Sequence, residues 1–404
     1  MTNQQVDILI IGGGLTGASL MLALRGLGFS CLLIERKSFE DKINPDFDAR
    51  SLALSPASVD ILSMLGVWEL LHKEATPIHL IHVSDQHRFG SSRLHAEPNK
   101  PLGYVVEMQY INRALHQLLD NKQVLTPATL IHLDPVTHEA RFQTPTGEHT
   151  VKAGLIVAAD GTDSTVRSLC KLSASIKKYQ QQAIVANIGL TKKHMHQAFE
   201  RFTKEGPIAM LPMQGERMSL VWACSPQQAK KLLAVNEQEF LAQLQQAFGY
   251  RLGRFVKVGT RFSYPLQQLL MQQQVKWPLV FVGNAAHTLH PVAGQGFNLG
   301  LRDVATLAQC IVEYGLNKKM LDQYYKLRQS DQRAIINFTN GLIKLFTSRI
   351  PGVGLARDLG LILLDNSNFL KQCLSRYAQG YSGVIPDLVC QIALDKRDKY
   401  ESTI

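Results

Sequence analysis

A glycine-rich turn near the N-terminus constrains the fold of this chain more than any other feature. Gly12, Gly14 and Gly17 follow the apolar run 6–11 and lead into the helical pattern 18–24. In a strand-turn-helix unit such glycines have separate functions. The first permits a tight turn, the second lets a pyrophosphate reach backbone N–H groups, and the third lets helix and strand pack closely. The pattern therefore predicts a dinucleotide site in which a side chain at Gly14 would block the phosphate.

A second strand-like run strengthens this prediction. Residues 31–34 are apolar and end at Glu35, which is followed by Arg36. An acid about twenty residues beyond the glycines accepts hydrogen bonds from a ribose hydroxyl. Glu35 thus favours an adenosine with a free 2′-hydroxyl, as in FAD or NAD rather than NADP. The alternative is a solvated glutamate at the end of a strand.

Length and composition indicate a soluble globular protein with two domains. The chain has 404 residues, of which 45% are hydrophobic and 19% charged. Its N-terminus makes a poor signal peptide, and no apolar run reaches the roughly eighteen residues of a membrane span. The six cysteines have no metal-like spacing and suit a reducing compartment, so we expect a cytoplasmic protein without a bound metal.

The net charge of +10 comes from dispersed lysines and arginines. A dispersed pattern argues against nucleic acid as a partner. It is compatible with peripheral contact at the anionic inner face of a membrane, or with an ordinary solvated surface.

Two further apolar runs, 154–159 and 279–282, each lead into another glycine-bearing turn, at Gly161 and Gly283. Such runs are typical of strands buried on both faces of a parallel sheet. Residues 180–270 lie between them and are mostly strand-like, whereas residues 305–385 have helical spacing. We therefore expect two domains interleaved along the chain. The apolar and basic segment 355–371 predicts a core helix or, alternatively, a basic interfacial helix.

Three motifs together resemble the fingerprints of the single-component, FAD-dependent aromatic hydroxylases. They are the first glycine turn, the segment 159–167 beginning Ala-Asp-Gly, and the segment 282–298 containing Gly294-Gln295-Gly296. Within that class the chain is similar to the ubiquinone-biosynthesis hydroxylases. The finer similarity rests on residues 47–54, 198–203, 206–213 and 248–253, and the resemblance extends to about residue 385.

The resemblance implies an α/β fold like that of para-hydroxybenzoate hydroxylase. A Rossmann-type FAD-binding domain of residues 1–75, 104–175 and 273–345 would be interleaved with a mainly antiparallel-sheet substrate domain of residues 76–103 and 176–272. Residues 346–404 would form a C-terminal helical segment and tail.

The resemblance also implies the chemistry. FAD would be the cofactor, NADH or NADPH a transient reductant and O2 the co-substrate. A hydroperoxyflavin would transfer oxygen to the ring of a lipophilic polyprenyl phenol of the 2-polyprenyl-6-methoxyphenol type. Other quinone-biosynthesis proteins would be partners.

The resemblance also assigns candidate site residues within the three motifs. Asp160 is expected to accept hydrogen bonds from cofactor hydroxyls, and Arg167 to offer charge to phosphate or to nicotinamide nucleotide. Asn284 departs from the aspartate usual in the wider class, which weakens that contact. The cofactor-binding candidates are Gly12, Gly14, Gly17, Glu35, Arg36, Asp160, Gly161, Arg167, Gly283, Asn284, Pro291, Phe297 and Asn298.

Catalytic candidates lie where the flavin would be. The helix that begins near Gly294, Gln295 and Gly296 would stabilise negative charge on the reduced flavin at its N-terminus. Arg50 is a candidate polar group near the mobile flavin, with a surface ion pair as its alternative. The expected substrate pocket is lined by Met210, Leu211, Pro212, Tyr264 and Pro265, which would otherwise be ordinary core residues.

The third motif also contains two histidines. His287 and His290 are expected to be structural rather than metal ligands, since no carboxylate or cysteine cluster accompanies them.

The alternatives to the main function are a sibling hydroxylase acting at another ring position, a non-catalytic flavin-binding scaffold subunit, and an FAD-dependent reductase of prenyl double bonds.

Overall fold

The computed structural model describes residues 2–39, 50–291, 294–348, 350, 352–381 and 383–395. Residues 47–49, part of the finer family similarity, and residues 292–293 of the third motif lie outside this range. Among the helices of the described ranges, none combines the length and apolar character needed to cross a membrane.

A mainly parallel sheet carries the three glycine turns. Its strand order is β18-β19-β11-β1-β2-β8, and β9 and β10 extend β11 as antiparallel strands. The central strands are apolar throughout because both faces are covered. Ile8 and Ile10 enter one core, while Leu9 and Ile11 enter the core on the opposite face. The strands are β1 (Thr2–Ile11), β2 (Cys31–Ile34), β8 (Val124–Leu125), β9 (Thr129–Asp134), β10 (Glu139–Thr144), β11 (Gly147–Ala158), β18 (Val275–Lys276) and β19 (Leu279–Phe281).

The second sheet is antiparallel except where β13 pairs with β5. Its order is β20-β17-β12-β15-β14-β13-β5-β6, with β16 paired to β12. The strands are β5 (Leu80–Asp85), β6 (Ser91–His95), β12 (Ala174–Leu190), β13 (Gln197–Phe202), β14 (Pro207–Met213), β15 (Arg217–Cys224), β16 (Phe255–Val258), β17 (Phe262–Met271) and β20 (His287–Thr288). A small sheet lies between the two and consists of β3 (Ser51–Leu54), β4 (Thr76–Ile78) and β7 (Gly103–Glu107).

The helices cover the sheets and close the cavity between them. Ser55 accepts a hydrogen bond from the Ser58 N–H and is the N-cap of the helix that begins at Pro56. The helices are α1 (Leu15–Ala23), α2 (Pro56–Met64), α3 (Trp68–Leu71), α4 (Met108–Leu118), α5 (Thr165–Leu169), α6 (Pro226–Ala234), α7 (Glu237–Phe248), α8 (Gln295–Tyr314), α9 (Lys318–Thr347), α10 (Val353–Asn366) and α11 (Asn368–Ala378). The predicted α/β fold with a second, antiparallel sheet is confirmed.

Candidate active site

A cavity of about 1400 Å³ runs from the first glycine turn to the C-terminal helices. At one end it is bounded by Gly14, Gly161 and Gly283, which lie at the ends of parallel strands. Its middle lies between β3, the start of α8 and the face of the second sheet. At the far end, apolar side chains of α9, α10 and α11 enclose it.

The glycines of the first turn differ in what surrounds them. Gly12 has a φ of +109°, and a Cβ there would lie 2.5 Å from the carbonyl oxygen of Ala159. A Cβ at Gly17 would lie 1.9 Å from the carbonyl oxygen of Gly12. A Cβ at Gly14 would meet nothing within 4 Å. Gly12 and Gly17 are therefore needed by the fold itself, whereas the space beside Gly14 is open to a ligand.

Glu35 lies against the same turn. One carboxylate oxygen accepts a hydrogen bond from the Gly13 N–H at 2.7 Å, and the other accepts one from the Lys37 N–H at 2.9 Å. Arg36 follows on the surface and is exposed. The carboxylate is thus fixed where β2 ends, beside the predicted phosphate turn.

Asp160 combines a fixed orientation with unused hydrogen-bonding capacity. Its Oδ2 atom accepts a hydrogen bond from the Val166 N–H at 3.1 Å, and its Oδ1 atom is buried without a hydrogen-bond partner in the described part of the chain. Burial raises the pKa of this carboxyl, and the hydrogen bonds from Ser164 and from Val166 oppose the shift. Oδ1 is therefore an unsatisfied acceptor directly behind Ala159 and Gly161, which line the cavity, whereas Asp160 itself does not.

Arg167 contacts backbone rather than the cavity. Its guanidinium donates to the carbonyl oxygens of Thr162 at 2.6 Å and Ala285 at 3.1 Å. It thereby joins the second glycine turn to the third, and it is not among the residues that line the cavity.

The third turn and the start of α8 also bound the cavity. Gly294, with a φ of +60°, is the N-cap of α8, and a Cβ at Gly296 would meet nothing within 4 Å. Gln295 is buried and donates a long hydrogen bond to the Ala378 carbonyl at 3.5 Å. The predicted residues that line the cavity here are Gly283, Asn284, Pro291, Gly294, Gln295, Gly296, Phe297 and Asn298.

Asn298 lines the cavity, but protein groups occupy its amide. Its oxygen accepts from the Ser55 N–H at 2.9 Å and from the Ser58 hydroxyl at 2.7 Å. Its nitrogen donates to the carbonyl oxygens of Ala53 and Gly294, each at 2.9 Å. Asn298 therefore holds β3 against the start of α8.

Arg50 lies at the entrance to β3 and is exposed. Its carbonyl oxygen accepts a hydrogen bond from the Met108 N–H at 3.0 Å. It is not among the cavity-lining residues.

A buried ionic network lies directly beneath the third turn. Both oxygens of Asp303 are engaged: Oδ2 contacts His287 Nε2 at 2.5 Å and the Gly283 N–H at 3.1 Å, and Oδ1 contacts Arg328 Nε at 2.8 Å. Arg328 also binds Asp331 at 2.6 Å. Burial alone would raise the pKa of Asp303, but His287 and Arg328 outweigh it and hold that pKa well below its usual range. His287 thus contacts a buried carboxylate, a partner that the sequence did not indicate.

The predicted substrate pocket is only partly where the cavity lies. Leu211 lines it, but Met210 points to the opposite face of β14, into the core formed with α6 and α7. Pro212 does not line it. Tyr264 and Pro265 are exposed on β17, which β12 and β15 separate from β14. Side chains alternate along a strand, so the side chains of the three consecutive residues 210–212 cannot all point into one cavity.

Comparison with known proteins identifies the family. A family model described as an FAD binding domain matches residues 5–339. The chain belongs to this family. Ubiquinone hydroxylase UbiL of Rhodospirillum rubrum is 37% identical over 388 residues, which cover 93% of this chain and 89% of that protein. The 3-demethoxyubiquinol 3-hydroxylase of Escherichia coli is 32% identical over 396 residues, covering 94% and 100%.

These similarities confirm the predicted class: an FAD-dependent monooxygenase related to the ubiquinone-biosynthesis hydroxylases. The crystal structure of p-nitrophenol 4-monooxygenase PnpA from Pseudomonas putida aligns with a TM-score of 0.77 at 16% identity, covering 95% of this chain and 99% of that one. That similarity shows the shared fold.

Sequence reasoning missed one group in this FAD hydroxylase: the buried ionic network around Asp303. A signal for the network was present, since Arg302 and Asp303 interrupt an otherwise apolar stretch of α8. Charged residues are rarely buried unless they are paired. No comparable signal marked the partners Arg328 and Asp331, which lie in a polar stretch of α9.

Proposed function

We propose that this protein binds FAD along the cavity and hydroxylates the ring of a polyprenyl phenol of the 2-polyprenyl-6-methoxyphenol type. The observation that carries the proposal is the continuity of the cavity. One chamber joins a dinucleotide-type glycine turn to a deep apolar space. A cofactor at one end can thus meet a lipophilic substrate from the other.

The residues present fit FAD. Open space at Gly14 suits a pyrophosphate at the N-terminus of α1. Glu35 and Asp160 Oδ1 offer acceptors to the ribose and ribityl hydroxyls, and the open backbone at Gly296 lies at the positive end of α8. When bound, FAD would supply the redox chemistry that activates O2 with electrons from NADH or NADPH. The chain positions the ring and excludes water.

The far half of the cavity suits an isoprenoid tail. Its walls include Phe338 and Leu342 of α9, Leu361 and Leu364 of α10, and Leu374 of α11. A volume of about 1400 Å³ exceeds the roughly 300–1,000 Å³ typical of sites for one small ligand, which leaves room for a cofactor and a long substrate.

Deletion of the gene is expected to stop quinone synthesis at a phenolic intermediate that lacks one ring hydroxyl. Mass spectrometry of the accumulated lipid identifies the step. An intermediate missing oxygen at another ring position would favour a sibling hydroxylase, and an over-unsaturated prenyl chain would favour a reductase. Survival of the pathway with an FAD-free variant would favour the scaffold function.

We also propose that α10 and α11 contact the membrane that holds the substrate. Leu359 and Leu363 lie four residues apart on α10 and are 55% and 62% exposed, and Phe369 at the start of α11 is 72% exposed. These helices also form the apolar end of the cavity, so a lipid could pass from the bilayer to the ring site. The net charge of +10 favours an anionic surface.

The double substitution Leu359→Gln and Leu363→Gln is expected to weaken co-sedimentation with phosphatidylglycerol vesicles by about tenfold or more, because each exposed leucine would otherwise bury apolar surface in lipid. Val136→Gln is the matched control, since Val136 is 88% exposed in the turn between β9 and β10. Equal vesicle binding by all three proteins would contradict the membrane contact.

A further inference from the structure

The cavity contains one acidic side chain among the described residues that line it: Glu200, on β13. Its register partners are Val83 on β5 and Ala209 on β14, and Ala209 in turn pairs with Val221 on β15. Val83, Ala209 and Val221 all line the same cavity. A carboxyl group therefore projects from an apolar patch of sheet into the proposed substrate space.

Nothing in the described protein neutralises this carboxyl. No hydrogen bond or ion pair involves its oxygens within the described residues. Burial raises the pKa of Glu200 to about 7, and no neighbouring charge contributes to the shift. Glu200 is half-buried on the wall of the cavity, so its carboxyl faces an apolar space without a protein partner. Such a placement is unfavourable for a polar group, and a purely structural role does not explain it.

The other ionisable groups that line the cavity are engaged or titrate elsewhere. His290 packs its ring edge-on against Tyr179, and burial lowers its pKa to about 4. On α10, Arg357 pairs with Asp85 and donates to the carbonyl oxygens of Leu345 and Phe346. On α11, burial and the charge of Asp331 raise the pKa of Tyr377 to about 12, and Cys373 is the remaining group.

We propose that Glu200 is a catalytic residue that accepts the proton of the substrate's phenolic hydroxyl. This inference rests on the proposed function, because it requires a phenol as substrate. A hydroxyl donor would give the carboxylate the hydrogen bond that the protein does not provide. The apolar sheet around it would hold the aromatic ring.

The proton transfer balances without a further reactant. The phenolic O–H bond breaks, a proton moves to a carboxylate oxygen of Glu200, and the electron pair remains on the substrate oxygen. That pair increases electron density at the ring carbons ortho and para to it, where the oxygen atom from O2 is added. The ring carbon that has received the oxygen then loses its hydrogen as a proton to water, and Glu200 returns its own proton to the original phenolic oxygen. The ring is aromatic again and the carboxylate is restored.

Glu200→Gln is the test, because glutamine keeps the size of the side chain and cannot take up a proton. The expected result is a fall in kcat of about a hundredfold or more, with little change in KM. The wild-type rate should rise as the pH increases through about 7, where the carboxyl ionises, and this rise should be absent from the variant. Glu200→Asp should restore part of the rate together with the pH dependence.

Two controls separate this effect from others. Glu205→Gln removes the same charge from the exposed end of the same hairpin and should leave the rate unchanged. Cys373→Ser should keep the pH profile of the wild-type protein. That result would assign the pH dependence to Glu200 and not to the Cys373 thiol. FAD content and Tm of each variant verify that it is folded and loaded.

The outcomes are distinct. Failure of the loaded wild-type protein to hydroxylate the phenol would contradict the proposed function. Wild-type turnover combined with an unchanged rate and pH profile in Glu200→Gln would overturn the role of Glu200 alone.

Discussion

Gly14→Val is expected to abolish FAD binding while leaving the apoprotein folded. A Cβ at Gly14 meets no protein atom within 4 Å, and the residue has a φ of −71° that any amino acid adopts. The added side chain would instead occupy the space through which a pyrophosphate approaches the start of α1. We expect a loss of FAD affinity of about a hundredfold or more, or roughly 2.7 kcal/mol.

The measurement is a titration of apoprotein with FAD, followed by flavin fluorescence, beside a thermal melt without cofactor. Gly17→Ala is the informative comparison, because its Cβ would lie 1.9 Å from the Gly12 carbonyl oxygen and should lower the Tm of the apoprotein. FAD binding by Gly14→Val with wild-type affinity would show that the pyrophosphate lies elsewhere.

Asp303→Asn is expected to give the largest loss of stability. The substitution leaves Arg328 buried with one carboxylate partner fewer, and it removes the anion from His287. Breaking a buried pair by removing one partner typically costs about 3–5 kcal/mol. Chemical denaturation of the apoprotein measures the loss, and Asp322→Asn, at an exposed position on the neighbouring helix α9, is the matched control. Equal stabilities would show that the network contributes nothing.

The pH dependence of stability follows from the same carboxylate. The folded-state pKa of Asp303 is lowered, so its contribution is present above the unfolded-state pKa of about 3.9 and is lost as the pH falls toward the folded value. Wild-type protein should therefore lose stability below about pH 4 more steeply than Asp303→Asn. Parallel acid-denaturation curves for the two proteins would contradict this assignment.

The sequence revealed those parts of the site that depend on local backbone geometry. The close contacts of Gly12 and Gly17 follow from a strand-turn-helix unit, so their spacing was informative. Asp160 was found for the same reason, since it directly follows a buried strand.

The parts that depend on distant partners were not predictable in the same way. Asn298 binds Ser55 across 243 positions of sequence, and Asp303 binds Arg328 across 25. No pattern in the neighbouring sequence indicates which residues form these pairs. The predicted phosphate contact of Arg167 likewise did not anticipate that backbone carbonyls occupy its guanidinium.

The predicted substrate wall shows a third reason why the sequence alone did not locate the whole site. Residues 210–212 form a continuous apolar run, yet alternation along β14 turns Leu211 toward the cavity and Met210 away from it. Which of these alternating side chains face the cavity depends on which face of the sheet α6 and α7 cover. Glu200 lies within the family-like segment 198–203. Its lack of a hydrogen-bond or ion-pair partner becomes visible only when β5 and β14 are placed beside it.

We infer that this protein transfers an oxygen atom from O2 to a polyprenyl phenol. The most direct measurement incubates the purified, FAD-loaded protein with NADH or NADPH, a polyprenyl methoxyphenol and isotope-labelled O2, and follows the product by mass spectrometry. The account predicts one labelled oxygen atom in each product molecule and no product without O2. Product formed under anaerobic conditions, or product whose new oxygen comes from water, would contradict it.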